Sequence, residues 1–292
     1  MTAPPIPVIA PARRPGPGMP GRPRGSALGR GIVLARYYFP AIVIFGAVIV
    51  IWEAIVGALA LKAFIFPKPS AIFAALLANW GGSQYPLFPS ARAALYEAAG
   101  GLLLGTFAGV VVAFATSRWA TTRGILLPIA IAANAVPIIA FAPLFNNWFG
   151  VLAPLSKMMM AAALVFFPVM ANVTRGLTQV DPSAVELMRS YASSEWVIVR
   201  KLRIPNALPY FFTALKLATT LSLIGAIVGE YFGGSSEVLG RIIVQSASAL
   251  RFDVTWAAIM LTAATGITFY LLTAALERIF IPWHASIRGS ER

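Results

Sequence analysis

The chain has 292 residues, 59% of them hydrophobic and only 11% charged, with a net charge of +13. Its mean hydropathy of +0.79 excludes an ordinary soluble domain. The absence of cysteine excludes a disulfide framework, a thiolate nucleophile and a thiolate metal site. The one histidine, His284, lies near the C-terminus, and no metal site is expected.

Apolar residues come in blocks of about 20, the span of a bilayer's hydrocarbon core. In a soluble protein the basic excess would suggest nucleic acid. In a polytopic membrane protein it marks loops kept in the cytoplasm, so the expected partner is the lipid bilayer and not nucleic acid.

Residues 1–36 are rich in Pro and Gly and contain no acid; their six arginines are Arg13, Arg14, Arg22, Arg24, Arg30 and Arg36. Such a segment cannot bury a core and is expected to be a disordered cytoplasmic tail. The first apolar block runs from Tyr37 to Ala60. Ala58-Leu59-Ala60 has the look of a signal-peptide cleavage site, but the block is too long for a leader and Glu53 interrupts it, so a transmembrane helix is expected. Residues 61–92 form the longest outer connection and include a short apolar helix, AIFAALLANW. Further spans are expected near Tyr96–Thr116, Ile125–Phe145, Leu155–Thr174, Ala207–Gly229 and Thr255–Leu276. Together they make an all-α membrane protein of six transmembrane helices over residues 37–283, followed by a cytoplasmic tail at 284–292.

Basic residues fix the orientation. With both termini inside, cytoplasmic segments carry 16 and the outer side 6, with Lys157 counted among the outer ones and Lys216 inside the fifth span.

Several features within the spans bear on function. Gly101, Gly105 and Gly109 share one helical face in the second span and invite close approach of another helix, within the chain or on a second subunit. Gly225, Gly229 and Gly233 repeat the spacing. Pro128, Pro137 and Pro143 interrupt the third span, where Asn134 is costly in hydrocarbon unless it bonds another helix or lines a path. In the fifth span Thr220, Ser222 and Glu230 are candidates for a translocation path, and Lys216 is expected to snorkel to the inner surface.

The 181–206 loop is polar and basic. Asp181 is a candidate N-cap and Pro182 suits a first helical turn. Ala184, Leu187, Met188 and Tyr191 form an apolar stripe. Glu186 and Arg189 can pair at i,i+3. Pro205 and Pro209 are expected to stop continuous helix before the fifth span. From the residues alone, a helix lying on lipid and a helix docking a partner are both open.

This loop resembles the mark of inner-membrane permease subunits of binding-protein-dependent ABC importers, in which a Glu-Ala-Ala triplet is followed by Gly and then Ile-x-Leu-Pro. Glu186-Leu187-Met188 occupies the triplet, Ala192 the glycine position, and Leu202, Ile204 and Pro205 the remainder. FPKPSAI, VPIIAFAPLFNNWFG and VGEYFGG are similar to the nitrate/sulfonate/taurine branch. The resemblance implies a type I importer bundle with a coupling helix over residues 183–200, carrying Glu186, Leu187, Met188, Arg189 and Ala192, in a bacterial inner membrane. It also implies two permease copies, two separate ATPase subunits that bind ATP and Mg, and an extracytoplasmic binding protein. The implied substrate is a small sulfonate-, taurine- or nitrate-like anion or a heteroaromatic compound such as a pyrimidine, a thiamine precursor or riboflavin.

The chain itself has no G-x-x-x-x-G-K-[ST] phosphate loop and is not expected to be an enzyme. A self-sufficient secondary transporter or channel is the alternative. It needs titratable groups near mid-membrane, for which Glu53 and Lys216 are the candidates.

Overall fold

The computed structural model describes residues 27–281, apart from 63, 83, 236 and most of 119–136. Every regular element among them is helical: α1 (Ala27–Ala58), α2 (Pro69–Ala78), α3 (Leu87–Arg118), a 3-10 turn (Ile138–Phe141), α4 (Ala142–Phe149), α5 (Pro154–Thr178), α6 (Pro182–Ser190), α7 (Glu195–Ile198), a π turn (Val199–Arg203), α8 (Ile204–Phe232), α9 (Leu239–Ser248) and α10 (Phe252–Phe280). Five described stretches are long and apolar enough to cross a bilayer: Phe39–Ala58, Leu87–Arg118, Pro154–Thr178, Glu195–Phe232 and Phe252–Phe280. The third expected span, with Asn134, falls mostly outside the described residues. Its last part is the 3-10 turn and α4, which runs past Phe145 to Phe149 because Pro143 sits in the first turn of α4, where no amide donor is needed.

The chain divides into two compact units, residues 1–51 and 52–292. In the first, helix begins at Ala27 and not at residue 37, so the tail expected to be disordered is helical over its last ten residues. The stretch from Ala27 to Tyr38 lacks proline, and Ala27, Leu28, Arg30, Leu34, Ala35 and Arg36 favour helix, which lets the first helix extend backwards through Gly29 and Gly31. From Phe39 to Ile51 its large apolar side chains are exposed, as suits a lipid-facing helix.

In the second unit α3, α5 and α8 pack most extensively on one another. The cause is a pair of glycine seams. A Cβ at Gly101 would collide with Ala161, one at Gly105 would stand 2.5 Å from the Ala162 carbonyl oxygen, and one at Gly109 2.9 Å from that of Phe166. On the other side of α5, a Cβ at Gly225 would lie 2.6 Å from the Ala161 Cα. The small residues of α5 are thus clasped between α3 and α8, and the three-glycine face serves packing within the chain. Val165, Val169 and Met170 of α5 complete this core with Ala214 and Ala218 of α8, all buried. Without a hydrophobic drive between helices in lipid, such close approach supplies the van der Waals contact that holds them.

Polar ties cross the same interfaces. The Thr219 and Thr273 hydroxyls lie 3.0 Å apart between α8 and α10, and those of Thr116 and Thr174 3.0 Å apart between α3 and α5. The Lys216 ammonium pairs at 2.7 Å with Glu277, in the last turn of α10, where a counter-ion on the neighbouring helix meets the charge. Glu53, which interrupts the first apolar block, accepts from the Ser70 amide at 3.0 Å and the Ser70 hydroxyl at 2.7 Å, so it holds the first turn of α2. Trp52, Phe66 and Trp256 cluster beside it.

The seam predicts a contrast. Gly105→Leu forces α3 off α5 and lowers stability by about 3 kcal/mol, read as a loss of thermal stability in detergent. Gly46→Leu, where a Cβ meets nothing within 4 Å, leaves it unchanged. Equal stability of the two variants contradicts the packing account.

Candidate functional site

The 181–206 loop joins the end of α5 to the start of α8 and is built as an elbow. Asp181 caps α6 as expected, accepting from the Ser183 amide at 2.9 Å and the Ser183 hydroxyl at 2.8 Å. These two bonds hold its carboxyl below the usual value. A group lowered in this way keeps its cap above the ordinary carboxylate range and loses it only as pH falls through the lowered value, so α6 stays capped at any pH above about 4.

The rod expected over 183–200 is two short helices with a break. α6 ends in a Schellman turn: the Ser193 amide donates to the Met188 carbonyl at 3.1 Å and the Ala192 amide to that of Arg189 at 2.9 Å. Ala192 therefore adopts φ +53, a left-handed conformation that favours glycine. The chain turns there, and α7 begins at Glu195. This turn redirects the expected Glu186–Arg189 pair. Arg189 instead bonds Glu195 across the elbow at 2.9 Å, with Arg203 4.0 Å from the same carboxylate. Between exposed groups such bonds fix direction more than they add stability.

Pro205 and Pro209 do not interrupt α8. Helix is continuous from Glu195, and Pro205 directly follows the π turn, whose altered hydrogen bonding accommodates its missing amide; helix runs on through Pro209. Asn206 donates to the carbonyls of Gly176 at 2.8 Å and Gln179 at 3.1 Å, which clips the start of α8 to the end of α5.

The elbow presents an uncovered apolar face. Ala184 and Met188 are half-buried, while Leu187, Tyr191 and Trp196 are 58%, 76% and 68% exposed. Glu186 is exposed beside them. Between the elbow and the ends of α3 and α5 lies a cavity of about 1040 Å³ whose charged lining is Arg118, Arg189, Arg203 and Glu195.

Of the pathway candidates, Asn134 lies outside the described residues, and the other three differ in setting. Thr220 is exposed and, with Tyr270, lines an apolar groove of about 450 Å³ between α8 and α10. Ser222 is buried and bonds back to the Thr219 carbonyl at 2.9 Å. Glu230 is fully buried at the far end of α8 and accepts from the Gly240 amide of α9 at 2.6 Å. Around it stand two ionisable groups that sequence reasoning passed over, Glu97 of α3 and Lys157 of α5, 4% and 1% exposed. Lys157, counted with the outer loops, is inside a span. Both fall within expected apolar blocks, and the rule that intramembrane charges find one another could have linked them. No cluster of residues able to hold a metal occurs among the described residues.

The turn at Ala192 predicts that Ala192→Gly relieves the left-handed strain and stabilises the elbow by about 1 kcal/mol. Hydrogen exchange of the α6 amides measures it: slower exchange is expected, and faster exchange contradicts the turn geometry.

Residues 101–283 match the family described as binding-protein-dependent transport system inner membrane component. Relatives run nearly the length of the chain. A probable ABC transporter permease protein of Haemophilus influenzae is 31% identical over 82% of this chain and 96% of its own. A riboflavin transport system permease protein of Chloroflexus aurantiacus is 28% identical over 87% and 94% respectively. A putative aliphatic sulfonates transport permease protein of Bacillus subtilis is 29% identical over 92% of each. With the family match covering more than half of the chain, this multi-pass membrane protein belongs to the inner membrane components of binding-protein-dependent transport systems.

Proposed function

We propose that the chain is the pathway subunit of an ATP-driven importer and that the 181–206 elbow is its handle, held by a separate ATPase. The observation that carries this reading is the elbow itself. It is capped at Asp181, turned at Ala192 and braced by Arg189–Glu195, yet it leaves Leu187, Tyr191 and Trp196 uncovered. Large apolar side chains on a rigid polar loop suit a protein partner, in whose groove they become anchors.

In this reading two copies of the chain face each other across the pathway, and each elbow sits on one of two ATPase subunits, which bind ATP and Mg. A binding protein delivers the solute from the opposite side. Both termini are cytoplasmic. Taking Lys157 out of the outer loops strengthens the basic bias that supports this orientation. The chain then performs no chemistry of its own; closure of the ATPase pair pushes the elbows and α5 and α8 carry the motion inward through the membrane. The family match and the relatives support this reading over the alternative of a self-sufficient transporter.

For substrate, a heteroaromatic solute is the favoured class. The groove at Thr220 and Tyr270 offers hydroxyls and apolar walls but no basic residue in its lining, and an anion there would be left without a compensating positive charge. A sulfonate-like anion is the second reading, supported by the Bacillus subtilis relative.

Glu186→Arg tests the handle. Coupled uptake falls by roughly tenfold or more, the size of a lost interfacial charge contact, while the protein still inserts. Normal uptake in that variant contradicts the reading. A thermal-shift screen on the accompanying binding protein decides the substrate: riboflavin or a pyrimidine raises its melting temperature and taurine does not, whereas the reverse selects the anion.

A further inference from the structure

Besides its uncovered apolar face, the elbow borders the cavity of about 1040 Å³ that separates it from the ends of α3 and α5. The lining of that cavity combines two chemistries. Phe114, Leu177 and Val199 supply apolar wall, while Arg118, Arg189 and Arg203 stand against the single carboxylate of Glu195. Three cations and one anion leave the described lining with a net charge of +2. Glu195 is already engaged, by Arg189 at 2.9 Å and by Arg203 at 4.0 Å. Arg118 makes no ion pair with any described residue.

One face of α3 leads from the lipid to this cavity. Leu103, Phe107, Val111 and Phe114 follow one another at offsets of four, four and three and so share a helical face. All four are exposed, and on a spanning helix such side chains meet hydrocarbon. Arg118 continues the same face four residues after Phe114 and is exposed as well. The eleven residues from Phe107 to Arg118 cover about 16 Å of helix, close to half of a hydrocarbon core of about 30 Å. An apolar track one leaflet deep therefore ends on a guanidinium group at the cavity.

An occupant that suits both chemistries carries an anion and apolar bulk together. A free phosphate satisfies the guanidinium groups but leaves the wall of Phe114, Leu177 and Val199 against water. A zwitterionic lipid covers the wall but brings a cation of its own into a site that already has an excess of them. An anionic phospholipid meets both needs. Its phosphate oxygens accept paired bonds from planar guanidinium groups, and its chain lies along the exposed face of α3. A lone arginine at a helix end is merely solvated; here three line one cavity, the arrangement by which basic pockets between spans hold anionic headgroups.

We propose that the cavity between the elbow and α3 binds the headgroup of an anionic phospholipid through Arg118 and Arg203, with an acyl chain laid on Phe114, Val111 and Phe107. Arg189 stays in the brace with Glu195, so the lipid adds to the elbow's frame and does not compete with it. The bound lipid fills the space between the elbow and the ends of α3 and α5 and steadies the elbow from the membrane side. The site rests on the importer reading for one point, the placement of the elbow at the cytoplasmic leaflet. Binding itself needs no ATPase.

The test titrates the full chain, in a non-ionic detergent, with phosphatidylglycerol, with phosphatidylcholine of the same chains and with inorganic phosphate. Bound lipid is counted by native mass spectrometry and stability is read as a melting temperature. Phosphatidylglycerol binds and raises the melting temperature; the other two do neither at matched concentration. Arg118→Gln and Arg203→Gln each weaken phosphatidylglycerol binding roughly fivefold, the pull of one basic residue on anionic lipid. Arg118→Lys, which keeps the charge, weakens it less. Arg92→Gln removes an equal charge from an exposed position at the other end of α3 and leaves binding unchanged. If Arg118→Gln does not fold, Arg203→Gln and the contrast between the two lipids decide. Equal binding of the two lipids overturns the site, as does unchanged phosphatidylglycerol binding in the Gln variants. Inorganic phosphate that phosphatidylglycerol does not displace overturns it in favour of a soluble anion. Loss of bound phosphatidylglycerol on addition of the ATPase overturns it in favour of the ATPase as occupant. A parent chain that does not co-purify with the ATPase sinks the importer reading instead and leaves the lipid titration standing, so the two failures are distinguishable.

Discussion

Close approach of backbones is the constraint from which the rest of the molecule follows. In hydrocarbon, apolar side chains gain nothing by leaving lipid for one another, so helices associate through tight packing and a few polar bonds. Gly101, Gly105 and Gly109 on α3 and Gly225 on α8 bring both helices against the alanines of α5. With that distance set, hydroxyl pairs such as Thr116–Thr174 and Thr219–Thr273 come into range without further adjustment. The ion pair Lys216–Glu277 is satisfied by the same geometry and ties α10 to α8.

A packed trio of spans explains why the 181–206 elbow is rigid although it is short and polar. It leaves α5 and enters α8, two helices already in contact, and Asn206 closes the gap between them. The elbow has its own stops as well, in the Asp181 cap and the Ala192 turn. Apolar side chains held outward on such a frame are pre-organised for a partner, because little ordering remains to be done on binding. At the opposite end the buried Glu230 carboxylate of α8 accepts from the Gly240 amide that starts α9. Residues 52–292 form one compact unit and residues 1–51 a separate one.

Much of this was legible in the residues. Blocks of about 20 apolar residues mark spans because hydrocarbon thickness demands it, and the glycines spaced by four declared a close-packed face. Asp181-Pro182 read correctly as a helix start, since both act through local backbone chemistry. What failed was non-local. Arg189 has Glu186 one turn away in sequence, but the left-handed Ala192 folds Glu195 back to it, and a positive φ at alanine leaves no trace in composition. Pro205 and Pro209 read as stops because proline usually ends a helix; the π turn ahead of α8 lets the helix carry them. Glu97 and Lys157 were invisible as a pair because their spans are adjacent only in space. The partner of Lys216 was hidden for the same reason, because Glu277 is beside it only in space.

The account turns on what covers the elbow. Because the chain has no cysteine, Leu187→Cys gives a unique thiol on the uncovered face of α6. Cross-linking from that thiol, in native membranes containing the whole transporter, is the most direct measurement. The account predicts a covalent adduct with the ATPase subunit, in a yield that changes when ATP is added. A thiol that reacts only with lipid-soluble reagents, and forms no adduct with the ATPase in any nucleotide state, contradicts it.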